Sequence, residues 1–101
     1  MKTGIELIAQ ERQEQTEKHS RSIENDVKYN HSYQLSIAAS KLLAYPAEAL
    51  NHFQPPNGWN IDLYKKMREK PYKERLIIAG ALIAAELDRL TFLEWSEKLK
   101  L

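Results

Sequence analysis

From Leu76 to Ala85 every residue is apolar or glycine, and on both sides of that run the apolar residues recur at helical intervals. This pattern predicts an all-α fold. About three longer helices plus one or two short ones should form a bundle around a buried C-terminal helix, all within one domain spanning 1–101. Thr3-Gly4-Ile5-Glu6 has the form of a capping box, so a first helix is expected from about Gly4 to His19. Its apolar residues are front-loaded at Ile5, Leu7, Ile8 and Ala9. Continued at helical spacing, that face meets Arg12, then Gln15 and Thr16, then His19. The face that begins as core thus continues as polar side chains.

Residues 20 to 30 hold no sustained period and read as a connection, with Ile23, Val27 and Tyr29 as anchors. A second helix is expected from Asn30 or Ser32 to about Tyr45, through Leu35, Ile37, Ala38, Ala39, Leu42 and Leu43. Pro46 suits the first turn of a short helix, Pro46–Asn51, because its missing N–H costs nothing there. Gln54-Pro55-Pro56-Asn57-Gly58-Trp59 is the clearest break. A short helix from Ile61 to Glu69 should follow, capped near Asn60 or Asp62. The last helix should run from Tyr72 to at least Leu90 and as far as Lys98. Its uninterrupted apolar run predicts that all sides of Leu76–Ala85 are covered. Gly80 costs about 1 kcal/mol of helix stability against alanine, which close packing would offset.

Composition narrows the chemistry. The 101 residues allow one core, and the 43% hydrophobic and 29% charged fractions are those of a globular chain. With no cysteine, disulfides, thiolate chemistry and cysteine-ligated zinc are excluded. A net charge of +1 gives no general attraction to duplex DNA or to acidic membranes. The N-terminus has no apolar signal segment, and the longest apolar run is shorter than the roughly 20 residues a membrane span requires. A cytoplasmic protein of a bacterial cell, with no membrane partner, is the expectation.

Three groups of residues are candidates for a site. The first is the polar continuation of helix 1, Glu11, Arg12 and Gln15, facing Glu86 of the last helix. Glu86 follows two alanines, and a half-buried carboxylate there needs a cation such as Arg12. The pair either closes a structural ion bridge or walls a polar pocket. The second is Asp26, Tyr29, Asn30 and His31, before the next helix, where free amides and polar side chains suit an anion. The structural alternative has Asn30 capping that helix, Asp26 turning the chain and Tyr29 plugging the core. The third is the basic run Lys65, Lys66, Arg68, Lys70, Lys73 and Arg75, interleaved with Tyr64 and Tyr72. Such a run suits phosphate attraction with aromatic stacking, or is simply a solvated face. Trp59 and Trp95 read as core or interface anchors. His19, His31 and His52 lack metal-ligand spacing, so neither a metal nor another cofactor is expected.

The chain resembles a family of small phage- and prophage-encoded proteins of unsettled function. The likeness rests on Glu11-Arg12-Gln13-Glu14-Gln15, Asp26-Val27-Lys28-Tyr29-Asn30, Gln34-Leu35 with Ala38-Ala39, Pro56-Asn57-Gly58-Trp59-Asn60, and Arg75 to Leu90. Members often carry Gly-Glu-Leu where this chain has Tyr33-Gln34-Leu35. The resemblance implies a mobile-element setting. In it, the chain is expected to bind a nucleotide-like small molecule, as a protein that captures a nucleotide-derived immune signal without catalysis. An all-helical nucleotide pyrophosphohydrolase is the enzymatic alternative. Glu11 and Glu14 form an E-x-x-E for magnesium, although the matching E-x-x-D is absent. A module that grips a host protein through the Trp59 loop or through Phe92–Leu101 is the third reading. Phe92, Leu93, Trp95, Leu99 and Leu101 carry apolar character beyond the core, which predicts a homo-oligomer.

Overall fold

The computed structural model describes residues 1–18, 22–43 and 55–99. They form helices α1 (Gly4–Lys18), α2 (Ile23–Tyr29), α3 (Gln34–Leu42), α4 (Ile61–Arg68) and α5 (Tyr72–Leu99), with no strand among the described residues. The all-α prediction and the central place of the last helix both hold, since α5 packs against α3, α1, α2 and α4. The expected Pro46–Asn51 helix lies outside the described residues, as do His19, Tyr45 and His52.

Local signals set most helix ends. The capping box forms: the Glu6 N–H donates to Thr3 Oγ1 at 3.3 Å and the Thr3 N–H to Glu6 Oε1 at 3.2 Å. Asn60 caps α4 by accepting the Leu63 N–H at 3.1 Å. The preceding break is a turn in which the Trp59 N–H donates to the Pro56 carbonyl at 3.1 Å. Gly58 takes φ +85° in that turn, a conformation that needs a residue without Cβ.

The segment expected to be a connection contains α2. Ser22 caps it by accepting the Asn25 N–H at 3.2 Å, and Glu24 and Asp26 lie in its first turn. Seven residues are too few to show a period, so only the cap announces this helix. The next helix starts later than expected, at Gln34, because Tyr33 sits in the left-handed region at φ 68°. That is costly for a side chain bearing Cβ. Buried Gln34 fastens the corner. Its Oε1 accepts the Ser32 N–H at 2.6 Å and its Nε2 donates to the Tyr29 carbonyl at 3.3 Å.

The core is Leu35, Ala38, Ala39 and Leu42 of α3 against Ile78, Ala79, Leu82 and Ala85 of α5, with Tyr64 of α4. Trp59 and Met67 pack against its edge. The inward seam of α5 runs Arg75, Ile78, Leu82, Ala85, Arg89, with an arginine at each end. Arg75 closes one end by donating to the Leu42 carbonyl at 3.2 Å and the Lys70 carbonyl at 3.1 Å. Leu42 ends α3, so the guanidinium satisfies a carbonyl that the helix leaves open. Gly80 lies beneath α1: a Cβ there would sit 2.6 Å from Ile8 Cδ1.

One expectation about α5 fails. The run Leu76–Ala85 is not covered on all sides, for Leu76 is 37% and Ile83 44% exposed. The neighbouring helices wrap the inward seam and the α1 side, and the described residues leave the remaining face open.

Candidate functional site

Two cavities flank Leu63 of α4. The first, of about 230 Å³, lies among α2, the turn before α4, and α4 itself. Asn25, Asp26, Tyr29 and Asn30 line one side, and Gly58, Trp59, Asn60, Leu63 and Tyr64 the other. The short helix α2 puts Asn25, Asp26 and Tyr29 one and three residues apart on adjoining faces. Asn30, at its C-terminal cap, continues the Asp26 face one turn on.

A polar relay holds this cavity's frame. Trp59 Nε1 donates to Asn30 Oδ1 at 2.7 Å, and Asn30 Nδ2 donates to Asp26 Oδ1 at 2.8 Å. Asp26 is 1% exposed, and its second oxygen faces Arg12 of α1 at 3.9 Å. Arg12 also reaches Asp88 of α5 at 3.5 Å. The relay therefore ties α1, α2, α5 and the Trp59 turn together through one buried carboxylate. Burial of that carboxylate requires such company, since an isolated buried charge is too costly to keep. Trp59 meets Tyr64 edge to face, with centroids 6.2 Å apart at 79°. Burial pushes the Tyr64 phenol above its ordinary value, with Arg68 opposing in part. The Tyr64 hydroxyl is buried and has no hydrogen-bond partner among the described residues.

The second cavity, of about 300 Å³, lies between α1 and α4 over Ile78. Glu11, Glu14 and Gln15 face Lys66, Met67 and Lys70 across it, and a hollow of about 160 Å³ extends it along Lys70 and Glu74. Gln15 is 3% exposed. Its Nε2 donates to Glu11 Oε2 at 3.3 Å, while its Oε1 is buried with no partner among the described residues. Each cavity is at or below the roughly 300 Å³ lower bound of small-molecule pockets. Either takes a group the size of a ring or a phosphate, and neither encloses a large ligand alone.

The sequence candidates divide accordingly. The expected Arg12–Glu86 bridge does not form. Arg12 turns to Asp26 and Asp88, and Glu86 pairs with Arg89 one turn along its own helix, where Arg89 Nη2 to Glu86 Oε2 is 3.1 Å. That hydrogen bond holds the Arg89 guanidinium pKa above its ordinary value. Asp26, Tyr29 and Asn30 come together at the first cavity, but not as loop residues. Asn30 ends α2 rather than starting the next helix, Asp26 is helical, and Tyr29 is 60% exposed rather than plugging the core. His31 stands apart and exposed, with Nδ1 3.0 Å from the Ser32 hydroxyl. Glu11 and Gln15 reach the second cavity. The basic run splits: Arg68 and Arg75 are buried, Lys65 and Lys70 pair with Glu69 and Glu74 at the surface, and Lys66 and Lys70 line the second cavity. Arg75 is thus a fastening of α3 to α5 and touches neither cavity.

Sequence reasoning missed Trp59, Asn60 and Tyr64 as cavity walls. Gly58-Trp59-Asn60 carried a signal, since a turn glycine followed by an aromatic and a cap residue presents a ring at a helix start. Glu11 and Glu14 stand opposite lysines, not a second carboxylate pair. No group of three acidic or histidine side chains suited to a metal occurs among the described residues. No described helix is long and apolar enough to cross a membrane. Compared with family models, with curated proteins and with solved structures, the chain matches none.

Proposed function

We propose that this chain is a binding protein that captures a small nucleotide-derived molecule without transforming it. In the mobile-element setting that the resemblance suggests, it would withdraw an immune signal from the host. The observation that carries the reading is the first cavity. Its walls are aromatic, from Tyr29, Trp59 and Tyr64, and its polar lining is Asp26 with the amides of Asn25, Asn30 and Asn60. Aromatic faces with amide donors and acceptors are the means by which proteins hold a flat, hydrogen-bonding ring.

The second cavity complements the first. Leu63 lines both, so a ligand with its ring beside Trp59 can extend past Leu63 to Lys66 and Lys70. Those ammonium groups suit a phosphate, and Glu11 and Glu14 suit sugar hydroxyls, which a carboxylate accepts from. The two small volumes thus favour one elongated ligand over a compact one.

Calorimetry against nucleoside phosphates, cyclic dinucleotides and cyclic ADP-ribose isomers tests this. Saturable binding is expected for at least one class, with tryptophan fluorescence quenched in a Trp95→Phe background. Tyr29→Ala and Lys66→Ala, both at exposed positions, should each weaken it about tenfold, equivalent to about 1.4 kcal/mol. Silence across the panel at high protein concentration removes the proposal. Magnesium-dependent release of pyrophosphate from a nucleoside triphosphate would instead make the chain an enzyme.

A further inference from the structure

The outer face of α5 carries a second seam, on the side away from the core. Positions 73, 76, 80, 83, 87, 90, 94 and 97 follow one another at alternating steps of three and four, the spacing of two helices in contact. Leu76, Ile83, Leu87 and Leu90 on this line are 37%, 44%, 60% and 42% exposed. At Gly80 the seam has no side chain of its own, and Ile8 of α1 occupies the place a Cβ would take. The line is therefore apolar and continuous over its middle, about 21 Å from Leu76 to Leu90 at ~1.5 Å per residue. A continuous exposed stripe of this kind is unusual for a monomer.

The charges at its two ends say what covers it. Lys73 stands at the N-terminal end and Glu94 and Glu97 at the C-terminal end. A second copy laid parallel would set lysine on lysine and glutamate on glutamate. Laid antiparallel, with Ile83 opposite the partner's Leu87, the register sets Lys73 opposite the partner's Glu97 and Leu90 over the Gly80–Ile8 position. We propose that the chain forms a two-fold dimer through this seam, with the two α5 helices antiparallel. In that orientation Ile83 meets Leu87, Leu90 meets the Gly80–Ile8 position, Leu76 borders Glu94 at the margin, and each Lys73 meets a Glu97. Neither cavity contributes a residue to the seam, so the dimer and ligand capture stand or fall separately.

Light scattering on the full chain is the first measurement, and a dimer mass is expected at micromolar concentration. Leu87→Glu should give a monomer with an unchanged helical circular dichroism spectrum. Lys73→Glu and Glu97→Lys, which alter only exposed charge, should each raise the dissociation constant about tenfold, and the double exchange should restore it. Orientation is read with cysteines, because the chain has none of its own. Glu94→Cys alone should not cross-link, its two copies lying roughly 27 Å apart in the antiparallel dimer at ~1.5 Å per residue. Leu76→Cys combined with Glu94→Cys should cross-link. A monomer at every concentration, a dimer indifferent to both Leu87→Glu and Lys73→Glu, or ready self-cross-linking through Glu94→Cys overturns the proposal.

Discussion

Tyr64 is fully enclosed, and no described residue accepts a hydrogen bond from its hydroxyl. Burial raises its pKa in the folded chain above the ordinary 10.0. The unfolded chain therefore releases that proton first as pH rises. The stability that a neutral Tyr64 contributes is complete below the ordinary value and is lost as pH climbs from there through the higher folded value. Tyr64→Phe should remove this alkaline loss. At neutral pH it should cost under about 1 kcal/mol, because no protein hydrogen bond is sacrificed. Urea titrations at neutral and alkaline pH compare the two chains, and equal alkaline losses would refute the assignment. Arg12 and Glu86 teach a related lesson. Their half-burial was legible in their apolar surroundings, but their partners were not. Glu86 found its cation at the local i,i+3 position, Arg89, whereas Arg12 found Asp26 and Asp88 only through tertiary folding.

Among the elements, α5 depends most on a single close approach. Gly80 brings α1 against α5, and Ile8 occupies the space a methyl group would need. Alanine is the better helix former by about 1 kcal/mol, yet its Cβ would overlap two carbons of Ile8. Gly80→Ala alone should therefore destabilise by about 1–2 kcal/mol, the usual cost of overpacking after the helical gain is set against it. With Ile8→Ala already made, the same change should stabilise by about 1 kcal/mol, since the helical preference then acts unopposed. A double-mutant cycle by chemical denaturation measures the difference, and additive effects would sink the packing account. Helix existence followed legibility in the same physical way. The Leu35–Ala38–Ala39–Leu42 spacing and the Thr3 and Asn60 caps were plain in the sequence. Helix α2 is seven residues long with one half-buried face, so only Ser22 marked it. The late start of α3 follows from the left-handed Tyr33, which the residue type gives no reason to expect.

Across the whole molecule, packing is concentrated at one end of α5. Its last buried residue is Arg89, and the helix continues from there to Leu99. Helical turns with few buried residues are marginal in water, so in the Leu87→Glu monomer the amides of Phe92–Leu99 should exchange with deuterium at least ~100-fold faster than those of Ile78–Arg89. Hydrogen exchange with mass detection reads this directly, and uniform protection along α5 would contradict it. The sequence by itself determined the helical class, the central α5, and the Thr3 and Asn60 caps. It could do so because periodicity and capping are local properties, expressed within one or two turns. Only the tertiary structure decided which faces meet: that Asp26 and Asn30 join Trp59 and Tyr64 at a cavity, and that Glu11 and Gln15 face Lys66 and Lys70. It also turned Arg75 into a fastening and left Leu76, Ile83, Leu87 and Leu90 of α5 exposed. These outcomes depend on how helices cross, and the crossing is set by the summed packing of residues far apart in the chain.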